Sequence, residues 1–171
     1  MAKLSRRAAL SGAGALALLS ACGSAIGDEP IRTRANEARY ASDAFRRMTP
    51  AQWRERLSPA AFNVLRQEGT ERAGTSPLED EERRGTYVCA GCALPLFRSE
   101  WKYHSGSGWP SFFRVMTENV GTKADYVLLQ PRTEYHCARC LGHQGHVFPD
   151  GPRPTGQRYC NNGVALRFAP A

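Results

Sequence analysis

The chain divides by the way its apolar residues recur. From residue 41 to 68 they return at helical spacing, and cap residues mark two starts. Thr49-Pro50-Ala51-Gln52 places an N-cap threonine before a proline at the first helical position and a glutamine at N3. Met48 and Trp53 are spaced to staple across that cap. Ser58-Pro59 repeats the device, with Leu57 and Phe62 as the apolar pair. Phe62, Val64 and Leu65 supply a buried stripe, and Gly69 is the expected stop. Gly69 to Arg84 is polar and charged and predicts a loop. From Gly85 onward helical period vanishes, and Gly, Pro and aromatic residues punctuate short runs. Thr86–Val88, Trp101–Tyr103, Tyr126–Leu129, Thr133–His136, His146–Phe148 and Val164–Phe168 predict strands. The expected fold is mainly β, with antiparallel sheets and a short helical N-terminal lead.

Ahead of the lead the pattern changes again. Lys3, Arg6 and Arg7 precede the small and apolar stretch Ala8 to Ala21, the layout of an export signal. Ser5-Arg6-Arg7 resembles a twin-arginine element, and Leu19-Ser20-Ala21-Cys22 resembles a bacterial lipobox, in which Cys22 would be lipidated. A plain signal peptide cleaved near Ala21 or Ala25 is the competing reading. The domain organisation expected is a signal over 1–22, a polar tether over 23–44 and one domain over 45–168. Location follows: an exported protein of the bacterial envelope or periplasm, touching membrane by its lipid anchor only.

The chain has 171 residues, enough for one domain with a real core. Its formal charge of +7 falls to +4 without Lys3, Arg6 and Arg7. No basic stripe interleaved with aromatics remains, so nucleic acid is not an expected partner.

The six cysteines carry the chemistry. Cys89-Ala90-Gly91-Cys92 and Cys137-Ala138-Arg139-Cys140 are two knuckles of the kind that together complete a tetrahedron around Zn²⁺. Disulfides compete, since export implies an oxidising compartment, and His143 is spaced to replace one ligand. Four ligands leave no open position, so such a zinc is structural. Cys160 is the odd thiol out. Arg158 can favour its thiolate, Asn162 offers hydrogen bonds, and His143 and His146 lie on a permissive glycine-bearing stretch. A lone thiol with a histidine elsewhere is the recipe for a cysteine nucleophile, although a buried structural cysteine is the commoner case.

Five stretches in order resemble the B-type peptide methionine (R)-S-oxide reductases: Gly85–Cys89 with Cys92, Ser105–Phe112, Cys137–Cys140, Gly145–Pro152 and Arg158–Asn162. Thr49 to Glu71 is similar to that family's helical lead. The resemblance implies a zinc-bound β fold and reduction of methionine R-sulfoxide in oxidised proteins or peptides. It implies Cys160 as the nucleophile that attacks the sulfoxide sulfur and is left as a sulfenic acid. His143 and His146 would protonate or orient the leaving oxygen, Trp109 would pack against the methyl group beside sulfur, and Arg158 and Asn162 would hold the polar side. Asp150 would orient a histidine. Where many members carry a second cysteine before the Gly-Trp-Pro-Ser-Phe motif, this chain has Ser107, so the reductant is expected to be an external thioredoxin-like protein or small thiol. The alternative is a catalytically inactive, zinc-stabilised binding module for oxidised proteins.

Overall fold

The computed structural model describes residues 29–171. The signal over 1–22, its Cys22 and the first part of the expected tether lie outside these residues.

Among the described residues, four short α-helices open the fold: α1 (Thr33–Ala38), α2 (Ala44–Arg47), α3 (Pro50–Arg56) and α4 (Pro59–Gln67). The caps act as the sequence predicts. Thr49 and Gln52 form a reciprocal capping box, and the Ser58 hydroxyl accepts from the Ala61 amide. Trp53, Leu57, Phe62, Val64 and Leu65 are all buried in the core. The stop differs from expectation. Glu68 takes the left-handed position that closes α4, and Gly69 serves a close approach, because a Cβ there would lie 2.1 Å from the Asn63 side chain.

The tether reading is corrected from Thr33 onward. Asn36 is buried and donates to the carbonyls of Thr117 and Val120, at 2.7 and 2.8 Å. Thr33 exchanges hydrogen bonds with Thr122, and Glu37 meets His136 Nε2 at 2.7 Å. These contacts are polar and reach backbone, so an apolar pattern could not announce them.

Nine strands follow. β1 (Gly85–Cys89), β2 (Pro95–Arg98) and β9 (Leu166–Pro170) make a three-stranded sheet in the order β2-β1-β9. β3 (Lys102–Tyr103), β4 (Ser111–Phe112), β5 (Val120–Asp125), β6 (Arg132–Cys137), β7 (His143–Phe148) and β8 (Arg158–Asn161) make the second, in the order β3-β4-β8-β7-β6-β5. Every pairing is antiparallel. Aromatics join the sheets: Phe97 stacks on Phe112 at 4.0 Å, Tyr87 meets Phe112 edge-on at 4.9 Å, and Phe97 meets Tyr135 edge-on at 6.2 Å. Truncating a buried ring of this kind costs about 3–5 kcal/mol.

The expected strand over Tyr126–Leu129 is not formed. β5 ends at Asp125, whose Oδ1 accepts from the Val127 amide at 2.8 Å. That two-residue side-chain turn pulls the backbone out of the ladder.

Strand alternation puts the rings and the polar groups of the large sheet on opposite faces. Phe112, Tyr135 and Tyr159 face the core. The other face carries one row across five strands, Ser111, Cys160, His146, Glu134 and Lys123, each opposite the next in register.

Candidate active site and metal centre

The two knuckles are copies of one turn. The amide of Ala93 donates to the Cys89 carbonyl and that of Leu141 to the Cys137 carbonyl. The Leu94 and Gly142 carbonyls accept from the amides of Cys89 and Cys137. Ala93 and Leu141 both hold positive φ, at 62° and 59°, which turns each chain away after its second cysteine. All four sulfurs are buried and lie within 4.8 Å of one another. The pairs Cys89–Cys140 and Cys92–Cys137 stand 3.6 and 3.5 Å apart. A disulfide needs ~2.05 Å. A tetrahedron with Zn–S bonds of ~2.3 Å has edges of about 3.8 Å. The donor set therefore fits Zn²⁺, with all four positions filled by thiolate, and the ion is structural. His143 is outside the cluster, its Nδ1 instead 2.9 Å from the Glu134 carboxylate.

Four thiolates on one Zn²⁺ leave a formal charge of −2, and arginines collect there. Arg46 donates to the carbonyls of Ala138 and Arg139, Arg56 to Gly91, Arg66 to Cys140, and Arg139 to Cys92. Three of these come from the helical lead, which thereby clamps both turns. The Gln144 amide adds a donor 3.5 Å from Cys89 Sγ.

Cys160 lies in the polar row between Ser111 and His146. A cleft of about 120 Å³ opens beside it, lined by Trp109, Arg132, His146, Phe148 and Asn162 among others. Burial pushes the Cys160 thiol up, against the Ser107 hydroxyl and the Arg158 guanidinium, which both draw it down. Ser107 Oγ is 3.9 Å from Cys160 Sγ, and Ser105 links it to Ser111 at 2.8 and 2.7 Å. The resting group is thus a thiol that needs a base.

His146 is opposite Cys160 in register, which places their Cβ atoms about 4.5–5.5 Å apart. Its Nε2 is 2.7 Å from Asp125 Oδ2. The Val127 amide, His146 and Arg132 hold the Asp125 carboxyl far below the usual range, so it accepts and Nε2 carries the hydrogen. Nδ1 is then the nitrogen that gains or loses a proton. Burial lowers the proton affinity of His146, opposed by Asp125. His143 lies behind, its ring 5.4 Å from that of His146, buried and pushed down to about 4 by desolvation. Its Nε2 is buried without a hydrogen-bond partner.

Trp109 is fixed from the loop after α4. Its indole N–H donates to the Glu71 carbonyl at 3.1 Å, and the Glu71 amide donates to Asn162 Oδ1 at 3.0 Å. The Asn162 amide nitrogen donates to the Gln144 carbonyl at 3.0 Å. Asn162 therefore spends both ends of its side chain on protein. Asp150 takes a two-point contact from Arg158, at 2.8 and 2.9 Å, in place of the expected histidine. The structure brings Cys160, His146, Trp109 and Asn162 together, sets Arg158 and Asp150 beside them, and keeps His143 in the wall. The sequence reading missed Asp125, Glu71, Glu134 and Arg132. Asp125 ends a strand and Glu71 lies in a polar loop, positions at which a charged residue carries no signal.

Among the described residues, a clasp of four cysteines and a fifth cysteine beside a histidine in a cleft define an antiparallel β protein equipped for thiol chemistry. The family model for the SelR domain matches residues 57–170, and the chain belongs to that family. It is 50% identical over 123 residues to "Peptide methionine sulfoxide reductase MsrB" of Thiobacillus denitrificans, covering 71% of this chain and 93% of the relative. It is 52% identical over 120 residues to the protein of the same name from Bradyrhizobium diazoefficiens, covering 70% and 86%. It is 46% identical over 125 residues to "Peptide methionine sulfoxide reductase B1, chloroplastic" of Arabidopsis thaliana, covering 72% and 62%.

Proposed function

We propose that the protein reduces methionine sulfoxide in oxidised proteins and peptides, with Cys160 as nucleophile and the R epimer as substrate. The observation that carries the reading is the register pair of Cys160 and His146, with Trp109 and Phe148 lining the same cleft. His146 Nδ1 takes the thiol proton, and the thiolate adds to the sulfoxide sulfur. The proton passes to the sulfoxide oxygen, and that oxygen moves to Cys160 Sγ as the transient bond between the two sulfurs and the original S–O bond both break. The sulfoxide gains two electrons and becomes the thioether, while Cys160 loses two and is left as Cys160–S–OH. One external thiol then forms a mixed disulfide with release of water. A second releases Cys160 as thiol and departs as the disulfide.

The aromatic side of the cleft suits a methyl thioether, which is soft and apolar. The imidazole side suits the oxygen. The opposite epimer would turn its oxygen to the indole and leave it unpaired, a loss of about 1–3 kcal/mol. Zinc takes no part in these steps and holds the two turns that end β1 and β6. Nothing in the cleft favours an inactive binding module, since thiol, imidazole and aromatic wall are all in place.

Cys160→Ser should abolish turnover of an R-sulfoxide peptide with dithiothreitol. Equal rates for wild type and variant, or equal rates on both epimers, would overturn the assignment. Export and acylation at Cys22 belong to the same proposal, supported by the Leu19-Ser20-Ala21-Cys22 sequence. Mass spectrometry of the mature N-terminal peptide, acylated at Cys22 or not, tests that part.

A further inference from the structure

Tyr126, Val127, Leu128 and Leu129 expose 74, 84, 55 and 105% of their surface in one unbroken run. Among the described residues, the only other exposed large hydrophobic is Leu141. Single exposed apolar residues are ordinary, but four together on one loop mark a contact surface. Residues 126–131, Tyr-Val-Leu-Leu-Gln-Pro, also carry no charge.

The loop is built into the rim of the cleft. Asp125 and Arg132 close its base with an ion pair of 2.6 Å. Arg132 lines the cleft with Cys160 and Trp109. Asp125 accepts from His146 on one oxygen and from the loop's own Val127 amide on the other. The apolar tip therefore stands beside the opening, held by the same carboxylate that sets the catalytic imidazole.

We propose that this loop is a lip that captures the polypeptide on either side of a methionine sulfoxide and selects apolar flanks. The proposal rests on the reductase reading above. The cleft opens at the surface with Arg132, the base of the loop, in its lining, so polypeptide on either side of a bound sulfoxide passes over this rim. Methionine is a core residue, and its oxidation to a polar sulfoxide loosens the packing around it. The segments that reach the enzyme are then apolar stretches freed from a core, matched by an uncharged apolar lip. A lipid surface is the competing occupant. Burying the lip in a bilayer would turn the cleft mouth toward the headgroups and away from protein substrates.

The test compares the wild-type chain with a Tyr126→Ser/Leu128→Ser/Leu129→Ser variant. Three substrates are used: N-acetyl-methionine sulfoxide amide, a peptide with Leu and Phe on both sides of the sulfoxide, and a peptide of equal length with Ser and Gly there. Expected is a rise of about tenfold in KM for the apolar peptide, with the other two substrates within about twofold. An equal change on all three would make the loop a mere support for the site, and no change on the apolar peptide would end the proposal. Loss of sedimentation with phosphatidylglycerol–phosphatidylethanolamine vesicles, with peptide kinetics unmoved, would assign the lip to lipid. If wild type reduced none of the three, the reductase reading would fall alone. Fluorescence anisotropy of the labelled apolar peptide, bound by wild type and not by the variant, would still decide the lip.

Discussion

Asp125→Asn isolates the part played by the carboxylate behind His146. Asp125 accepts three hydrogen bonds, from the Val127 amide at 2.8 Å, His146 Nε2 at 2.7 Å and Arg132 at 2.6 Å. Asparagine keeps the shape, loses the charge and turns an N–H₂ group toward one of those donors. A hydrogen bond to a charged group contributes about 1.5–3 kcal/mol, and 1.36 kcal/mol is one pKa unit. The proton affinity of His146 should therefore fall by about 1–2 units. Burial already holds it below the ordinary imidazole value, and Asp125 is the group that opposes burial. The population of the Cys160 thiolate paired with protonated His146 falls by the same factor. The rate of sulfoxide reduction on its plateau should drop roughly 10- to 100-fold, and the acidic limb of the pH profile should move to lower pH by about 1–2 units. Pre-reduced enzyme in a single turnover with N-acetyl-methionine sulfoxide amide is the assay, since it avoids both the reductant and the 126–131 loop. The Arg132 side chain is 28% exposed and can rehydrate, so the melting temperature should fall by only a few degrees. A plateau within about threefold of wild type, or an acidic limb that stays in place, would refute the proton-carrier role of His146.

Ser107→Cys places a second sulfur where a hydroxyl stands 3.9 Å from Cys160 Sγ; after one turnover it should yield an internal disulfide, seen as the loss of two titratable thiols, whereas wild type should show none. Metal analysis should find one zinc per chain, and Cys92→Ala should lower the melting temperature by tens of degrees, because structural zinc contributes on the order of 10 kcal/mol to folding; a variant that melts like wild type would refute the clasp. His143 is held neutral in the fold with its value pushed down to about 4, so the unfolded chain binds the proton first as pH falls below about 6.5. Stability conferred by that site should be lost between about pH 6.5 and 4, and His143→Asn should flatten this part of the unfolding curve in urea; an unchanged slope would count against a neutral buried imidazole.

The parts that the sequence revealed are those fixed by neighbours along the chain. Thr49 with Gln52, and Ser58 with Ala61, cap helices through bonds three residues apart, so their spacing is the mechanism. Each Cys-x-x-Cys turn closes on itself in the same way. What escaped depends on groups distant in sequence. Asn36 and Glu37 hold the lead to β5 and His136 by polar bonds that leave no periodic trace. The apolar run Tyr126–Leu129 reads as a strand because its composition suits one, yet the Asp125 side chain ends β5 first. The resemblance implies that Asp150 orients a histidine, but the fold delivers it to Arg158.

Ser107 at the nucleophile's side has a consequence for the life of the molecule. On the proposed chemistry, oxidised Cys160 finds no thiol within reach among the described residues, because the four other described cysteines are interred in the metal-binding cluster. The spent enzyme must sit with its oxygen-bearing sulfur open to the surroundings until a donor arrives. Any further equivalent of peroxide met in that interval converts it to sulfinic acid, which thiols do not restore. The enzyme's endurance under oxidative attack is thus a race between two visitors, and a scarce electron donor would consume the catalyst along with the damage it repairs.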